Sequence, residues 1–158
     1  MGLQHPADIA AMIKAAGKKN GKHLQYGAVP FRIVDGKTQV LLITSRRTHR
    51  WIVPKGWPIT ALKPHKAAAT EAWEEAGVRG TASKHCIGVY SYPKLRKNGR
   101  TKICTVLLFP IEVRKLANSF PERGQRKRKW LRPKRAAARI ENTELAKIIR
   151  RFDAQLLR

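Results

Sequence analysis

The spacing of apolar positions changes several times along this chain, and each change marks an element. Residues 26–34 read as a strand, Asp35-Gly36 as a tight hairpin turn and residues 38–44 as the partner strand. A basic loop with Arg46, Arg47, His49 and Arg50 leads to a short apolar strand, Trp51-Ile52-Val53. Pro54-Lys55-Gly56-Trp57-Pro58 then breaks regular structure. Residues 64–76 predict a helix, with Pro64 in its first turn, alanines at 67–69 and 72, and Gly77 as its stop. Two further strands, 85–92 and 102–113, flank Asn98-Gly99, a strong hairpin dipeptide. Residues 126–131 predict a last strand with Trp130 turned inward, and residues 133–140 and 142–157 two helices. In the second of these, Leu145, Ile148, Ile149, Phe152 and Leu156 recur at helical spacing and should face the core. Strands and helices mixed in this order predict an α/β (α+β) sandwich, a mixed β-sheet packed between helices. Ahead of it, residues 7–16 suit a short helix and residues 17–23 a basic linker. The expected division is a basic arm over 1–23 and a globular domain over 24–158.

Composition fits one core: 158 residues with a 42% hydrophobic share. The longest apolar runs, residues 40–44 and 106–110, fall far short of the roughly 20 residues that span a bilayer. The first residues lack a secretory layout, and Pro6 stands where a myristoylation motif has Ser or Thr. The expectation is a soluble, cytoplasmic protein without membrane insertion. Cys86 and Cys104 lie in apolar, strand-like segments and should be buried free thiols. His5, His23, His49, His65 and His85 show no metal-ligand spacing, and most of them are expected on the surface or in loops. Charge changes the picture most: 34 Lys and Arg face 10 Asp and Glu, a formal +24. Such an excess favours a polyanionic partner: nucleic acid, a multiply phosphorylated small molecule or an anionic membrane surface.

Against that background, three of the ten acids fall within five residues: Glu71, Glu74 and Glu75. At i, i+3 and i+4 they share one face of the predicted helix, where like charges repel. A solvated helix would answer them with Lys or Arg one turn away, but positions 67, 68, 70 and 78 are Ala, Ala, Thr and Val. Only Arg79, past Gly77, offers a cation at i+4 from Glu75. An acidic face that evens out a basic surface is one reading, and a site for an external cation the other. Hard oxygen donors without thiolate or imidazole would favour Mg²⁺, with Mn²⁺ as substitute.

The flanking residues favour the second reading. From Gly56 through Glu71-Ala72-Trp73-Glu74-Glu75-Ala76-Gly77-Val78 the chain resembles the box of the Nudix hydrolase (MutT-like) family, G-x5-E-x7-R-E-U-x-E-E-x-G-U, where U is aliphatic. Gly56, the three glutamates, Gly77 and Val78 fall on its positions, and Ala72 stands in for an aliphatic. Leu62 replaces the first Glu, which supports the loop–helix fold. Thr70 replaces the Arg, which helps orient the glutamates. Ser45-Arg46, Trp51-Ile52-Val53-Pro54, the exit Gly77-Val78-Arg79-Gly80 and the basic–aromatic run Arg126-Lys127-Arg128-Lys129-Trp130-Leu131 resemble the diphosphoinositol polyphosphate phosphohydrolase branch. The resemblance covers roughly residues 25 to 135.

It implies the Nudix fold with its loop–helix and a Mg²⁺-dependent pyrophosphohydrolase acting on a diphosphoinositol polyphosphate or dinucleoside polyphosphate. Glu71, Glu75 and the Gly56 carbonyl would be metal ligands, and Glu74 a ligand directly or through water. The general base varies across the family, and Glu74 is the choice among the three. A downstream acid often joins the site; Glu122, in the loop before the basic run, is preferred to Glu112. Arg32, Arg46 and Lys55 are the leading candidates for the polyphosphate, with Arg126 and Arg128 behind them. Trp51 should be core, Trp57 is free to stack a base, and Trp73 should pack under the box helix. Two alternatives stay open: removal of pyrophosphate from RNA 5′ ends, and a weakened Nudix-like module that binds RNA or another polyanion.

Overall fold

The computed structural model describes residues 23–157, without the side chain of Leu156. The arm's expected helix, His5 and the core role expected of Leu156 lie outside the described residues. The strands are β1 (Leu24–Val34), β2 (Lys37–Thr44), β3 (Trp51–Ile52), β4 (Lys55–Gly56), β5 (Val78–Ala82), β6 (Gly88–Leu95), β7 (Thr101–Leu116) and β8 (Arg128–Leu131). The α-helices are α1 (Pro64–Ala76), α2 (Pro133–Arg139) and α3 (Thr143–Arg151), and a 3₁₀ turn, Ala154–Leu157, follows.

All the strands join one sheet in the order β3-β2-β1-β7-β5, with β4 on β1, β6 on β7 and β8 on β2. The β1–β7 pair is parallel and the other pairs antiparallel. Alternation along the strands builds two cores. Ala28, Leu41, Ile43, Leu107 and Phe109 meet Ala68, Ala72 and Ala76 of α1 on one face. Val29, Val40, Leu42, Val106 and Leu108 meet Ala136, Leu145 and Ile149 of α2 and α3 on the other. The mixed sheet between helices is therefore the α+β sandwich expected.

Local chemistry sets the turns that matter to the site. Asp35 and Gly36 both take positive φ, 52° and 74°, the conformation of a two-residue hairpin between Val34 and Lys37. Pro64 opens α1 after an extended Lys63, and Gly77 closes it in the left-handed region at φ 69°. A Cβ on Gly77 would come within 2.6 Å of the Phe120 ring, so the loop after β7 packs directly on the helix end.

Several boundaries differ from the sequence expectation. β5 was not anticipated: Val78–Ala82 is short, contains Gly80 and is held by pairing with β7. The strand expected over 85–92 starts at Gly88 and runs on to Leu95. The long C-terminal helix ends at Arg151, because Phe152 turns extended at its cap. Phe152 still reaches the core, with its ring edge-on to Phe31 at 5.4 Å. His23 and His65 are buried, against the surface placement expected of most histidines. Cys86 and Cys104 are buried free thiols, as expected. Among the described residues, no helix is long and apolar enough to cross a membrane.

One departure builds the site. Pro54–Pro58 does not simply interrupt the sheet, because Lys55 and Gly56 form β4 against β1. The register is Gly27 opposite Lys55 and Tyr26 opposite Gly56. β1 pairs with β2 only from Phe31 onward, so its first half is open to a different neighbour. Ala28 N–H donates to Pro54 O at 2.9 Å and fixes the entry. Pro30, with no N–H to give, lies in the interval where β1 changes partner.

Candidate active site

The alanine face of α1 brings the helix close to the sheet, and its flanking carboxylates come with it. Glu71 lies against Gly56: a Cβ at position 56 would run into the Glu71 carboxyl. Glycine is needed there for approach rather than for φ. One turn on, Glu75 is only 7% exposed and its Oε1 accepts the Lys55 N–H at 3.4 Å. The box loop and helix are thus joined through the side chains of Glu71 and Glu75.

A second segment closes over them. The loop after β7 donates the Glu122 N–H to the Glu74 carbonyl at 3.0 Å. Arg126 Nε lies 3.3 Å from Glu122 Oε1, its Nη2 lies 3.9 Å from Glu75 Oε1, and Nη1 donates to Thr44 O at 3.2 Å. Thr44 also binds Lys127, its N–H donating to Lys127 O and its Oγ1 accepting from Lys127 N. β2, α1 and the loop meet at this guanidinium.

The result is a cavity of about 370 Å³ lined by Glu71, Glu75 and Glu122 together with the cations Arg46, Lys55, Lys94 and Arg126. Trp57 borders it at 43% exposure, with Lys94 Nζ 4.7 Å from its ring centre. Lys55 Nζ lies 4.8 Å from the Tyr92 ring, and Tyr92 OH donates to Gln25 Oε1 at 2.6 Å. Arg46, in the exposed loop after β2, donates to Gln125 Oε1 at 3.4 Å.

Electrostatics follow the geometry. Burial, then the charges of Glu75 and Glu74, then a hydrogen bond with Glu75 raise the Glu71 pKa from 4.5 to about 8. Glu75 is also raised by burial, with Arg126 and Lys55 opposing the shift. Burial lowers the Lys55 pKa, and Glu75 offsets part of that.

The expected site residues therefore separate. Gly56, Glu71, Glu75, Glu122, Arg46, Lys55 and Arg126 share the cavity wall. Glu74 does not line it. Arg32 lies elsewhere, donating to Gln39 at 2.7 Å and stacked 4.2 Å over the Trp130 ring. Arg128 is spent on backbone, donating to Ala76 O at 2.9 Å and Ala117 O at 2.8 Å, where it caps α1. Glu112 is exposed on β7. Trp51 is half-buried against the core, and Trp73 is half-buried under the Arg79 guanidinium at 3.9 Å. Arg79, the nearest cation in sequence, stacks on that ring. Glu75 takes its partner from Arg126 instead. Gln25 and Lys94 were missed: neither belongs to a motif, and the folded sheet brings them to Lys55 and Trp57.

Among the described residues, no three His, Cys, Asp or Glu side chains are gathered as a ready metal centre. The donor chemistry nevertheless fits a hard cation. Burial and then the neighbouring carboxylates raise the Glu71 pKa, and the space that a Cβ at position 56 would fill is occupied by the Glu71 carboxyl.

An α+β sandwich carrying this loop–helix matches the sequence model described as NUDIX domain over residues 23–152, and the chain belongs to the Nudix family. Among sequence relatives, Nudix hydrolase 13, mitochondrial, of Arabidopsis thaliana is 30% identical over 134 residues, 74% of this chain and 66% of that protein. Diphosphoinositol polyphosphate phosphohydrolase 3-alpha of Mus musculus is 35% identical over 101 residues, 62% of this chain and 57% of that one. The chain thus spans just under two thirds of the plant relative's length. The crystal structure of a C. elegans Ap4A hydrolase shares the fold at TM-score 0.60 and 24% identity, covering 84% of this chain and 97% of the other.

Proposed function

We propose that this chain is a Mg²⁺-dependent pyrophosphohydrolase that cleaves a phosphoanhydride in a highly anionic substrate, of diphosphoinositol polyphosphate or dinucleoside polyphosphate type. The observation that carries this reading is a single cavity whose lining combines Glu71, Glu75 and Glu122 with Arg46, Lys55 and Lys94. Acids without cations would suit metal storage, and cations without acids would suit anion binding. Phosphoanhydride hydrolysis needs both. A diphosphoinositol polyphosphate phosphohydrolase among the sequence relatives and an Ap4A hydrolase among the proteins that share the fold support the same substrate classes.

Glu71, Glu75 and the Gly56 carbonyl would hold the metal ion, with Glu122 as a further oxygen donor. When bound, Mg²⁺ supplies charge neutralisation at phosphoryl oxygens and lowers the pKa of a water. Arg46, Lys55 and Lys94 neutralise the rest of the polyphosphate and orient it. Because Glu74 is outside the wall, a wall carboxylate is better placed than Glu74 to take the proton of the attacking water. Trp57 offers an aromatic face at the rim for a base or an apolar edge. Residues 24–158 form the hydrolase domain in this reading, and residues 1–23 a basic arm.

The test is phosphate release with Mg²⁺ over inositol pyrophosphates, dinucleoside polyphosphates, nucleoside diphosphate derivatives and 5′-triphosphorylated or capped RNA. Turnover of a small pyrophosphate-containing member, lost in Glu75→Gln, is expected. Turnover of the RNA members alone would move the substrate class to RNA ends. No turnover, with tight RNA binding that Glu75→Gln leaves unchanged, would make the chain a binding module.

A further inference from the structure

Arg126 sits in the cavity wall, but its geometry differs from that of the other cations there. Its side chain is 9% exposed, against 58% for Arg50 in the surface pair with Glu141. All three of its nitrogens have protein oxygens nearby: Glu122 at Nε, Thr44 O at Nη1 and Glu75 at Nη2. Two of them donate hydrogen bonds, Nε to Glu122 Oε1 and Nη1 to Thr44 O, and Nη2 faces Glu75 Oε1 at 3.9 Å as a buried ion pair, so the planar group is oriented by protein on every side. It joins two carboxylates 47 residues apart in sequence (122 less 75), one on a helix and one in a loop. No residue on α1 does this work. Thr70, one position before Glu71, turns its hydroxyl to the Lys66 carbonyl of its own helix at 3.1 Å, and Arg79 stacks on Trp73. Lys55 hydrogen-bonds Glu75 through its backbone N–H, and its ammonium acts on Glu75 by charge without a hydrogen bond that would orient the carboxylate.

We infer that Arg126 is a positioning residue: it holds Glu75 and Glu122 in the mutual orientation in which they take the divalent ion, and it does not bind the substrate. This rests on the metal reading above. Its thermodynamic content is that the guanidinium removes freedom from both carboxylates before the ion arrives, so less ordering remains to be done on binding. Because one planar group must bond Glu122 and the Thr44 carbonyl while facing Glu75, the single ammonium of lysine should not replace it. Partners that orient metal ligands typically contribute about 10- to 100-fold in affinity or activity, and the Arg126 contribution should fall in that range.

The test is Mn²⁺ binding, read by paramagnetic resonance of the free ion, on the full chain, Arg126→Lys and Arg126→Gln, with folding checked by near-ultraviolet circular dichroism. Arg126→Lys should weaken Mn²⁺ binding by about 10-fold or more and lower kcat to a similar degree, leaving KM within about 2-fold. Wild-type Mn²⁺ affinity in Arg126→Lys with a raised KM would overturn the inference and make Arg126 a substrate contact. No Mn²⁺ bound by the wild-type chain would remove the metal reading and this inference with it. A reading on the wild-type chain covers the case in which the variants unfold. The ¹⁵N resonances of the Arg126 guanidinium should shift on adding Mg²⁺ and stay in place on adding tripolyphosphate without metal. The opposite response would overturn the inference.

Discussion

The cavity has two walls of different origin. The first, β4 with α1, is local: Gly56, Glu71 and Glu75 lie within 20 residues and are joined by one loop and one helix. The second is assembled across the chain, from Lys94 on β6, Glu122 and Arg126 in the loop before β8, and Arg46 after β2. The local wall carries the acids that crowd one another, and the distant wall supplies most of the balancing cations. In the proposed reading the local wall carries most of the metal donors, and the distant wall adds Glu122 and the cations that orient and balance them. Damage to the two walls should therefore look different.

The largest effect should come from the local wall. Glu75→Gln removes a buried charge that a hard cation needs, and turnover should fall by more than the ~100-fold typical of losing a ligand's orienting partner. A single-turnover assay at saturating Mg²⁺ reads this. Gly56→Ala tests the same wall sterically. Its Cβ meets the Glu71 carboxyl, so activity should fall about 10-fold or more, with about 1–3 kcal/mol lost in urea unfolding from overpacking. An unchanged Gly56→Ala enzyme would show that Glu71 does not need its close approach.

Arg128→Ala sharpens the contrast from the other side. It stands two residues from Arg126, yet it donates to the Ala76 and Ala117 carbonyls and lies 4.8 Å over the Phe120 ring, away from the cavity acids. Stability should drop by about 1.5–3 kcal/mol, the scale of hydrogen bonds to charged groups, while kcat changes little. Loss of activity without loss of stability would contradict its placement.

A pH effect follows from Glu71. Its folded pKa, about 8, is above its ordinary value of 4.5, so between those values the folded chain binds more protons than the unfolded one. Metal-free stability should therefore fall as pH rises from about 4.5 through about 8. Glu71→Gln should flatten that slope, and Mg²⁺ should counter it by engaging the charged carboxylate. Urea titrations at several pH values with and without Mg²⁺ check the sign. The mildest effect is salt: with a formal charge of +24, steering of a polyanion should weaken as ionic strength rises, seen as a lower kcat/KM.

The same contrast explains what was legible in the sequence. The hairpin at Asp35-Gly36 and α1 from Pro64 to its stop at Gly77 rest on local interactions that propensity and caps expose, whereas the closeness of Glu71 to Gly56 was implied only by the resemblance to the Nudix box. β4 and β5 were not legible, because Lys55–Gly56 and Val78–Ala82 are strands only through β1 and β7. The missing partner of Glu75 failed for the same reason. A search one turn along the helix finds Arg79, while the cation that reaches Glu75 is Arg126, brought in by β2–β8 pairing. Arg32 and Arg128 show the converse. A basic residue at a matching position remains a candidate until its neighbours appear, and here they are Trp130 and two carbonyls.

In the proposed function these two walls together hydrolyse a phosphoanhydride with a divalent ion. Phosphate release from the best substrate of the panel, measured before chelation, after EDTA and after Mg²⁺ is restored, tests this directly. Release should stop with EDTA and return with Mg²⁺ in the wild-type chain and stay absent in Glu75→Gln. Release indifferent to chelation, or equal in Glu75→Gln, would rule out that function.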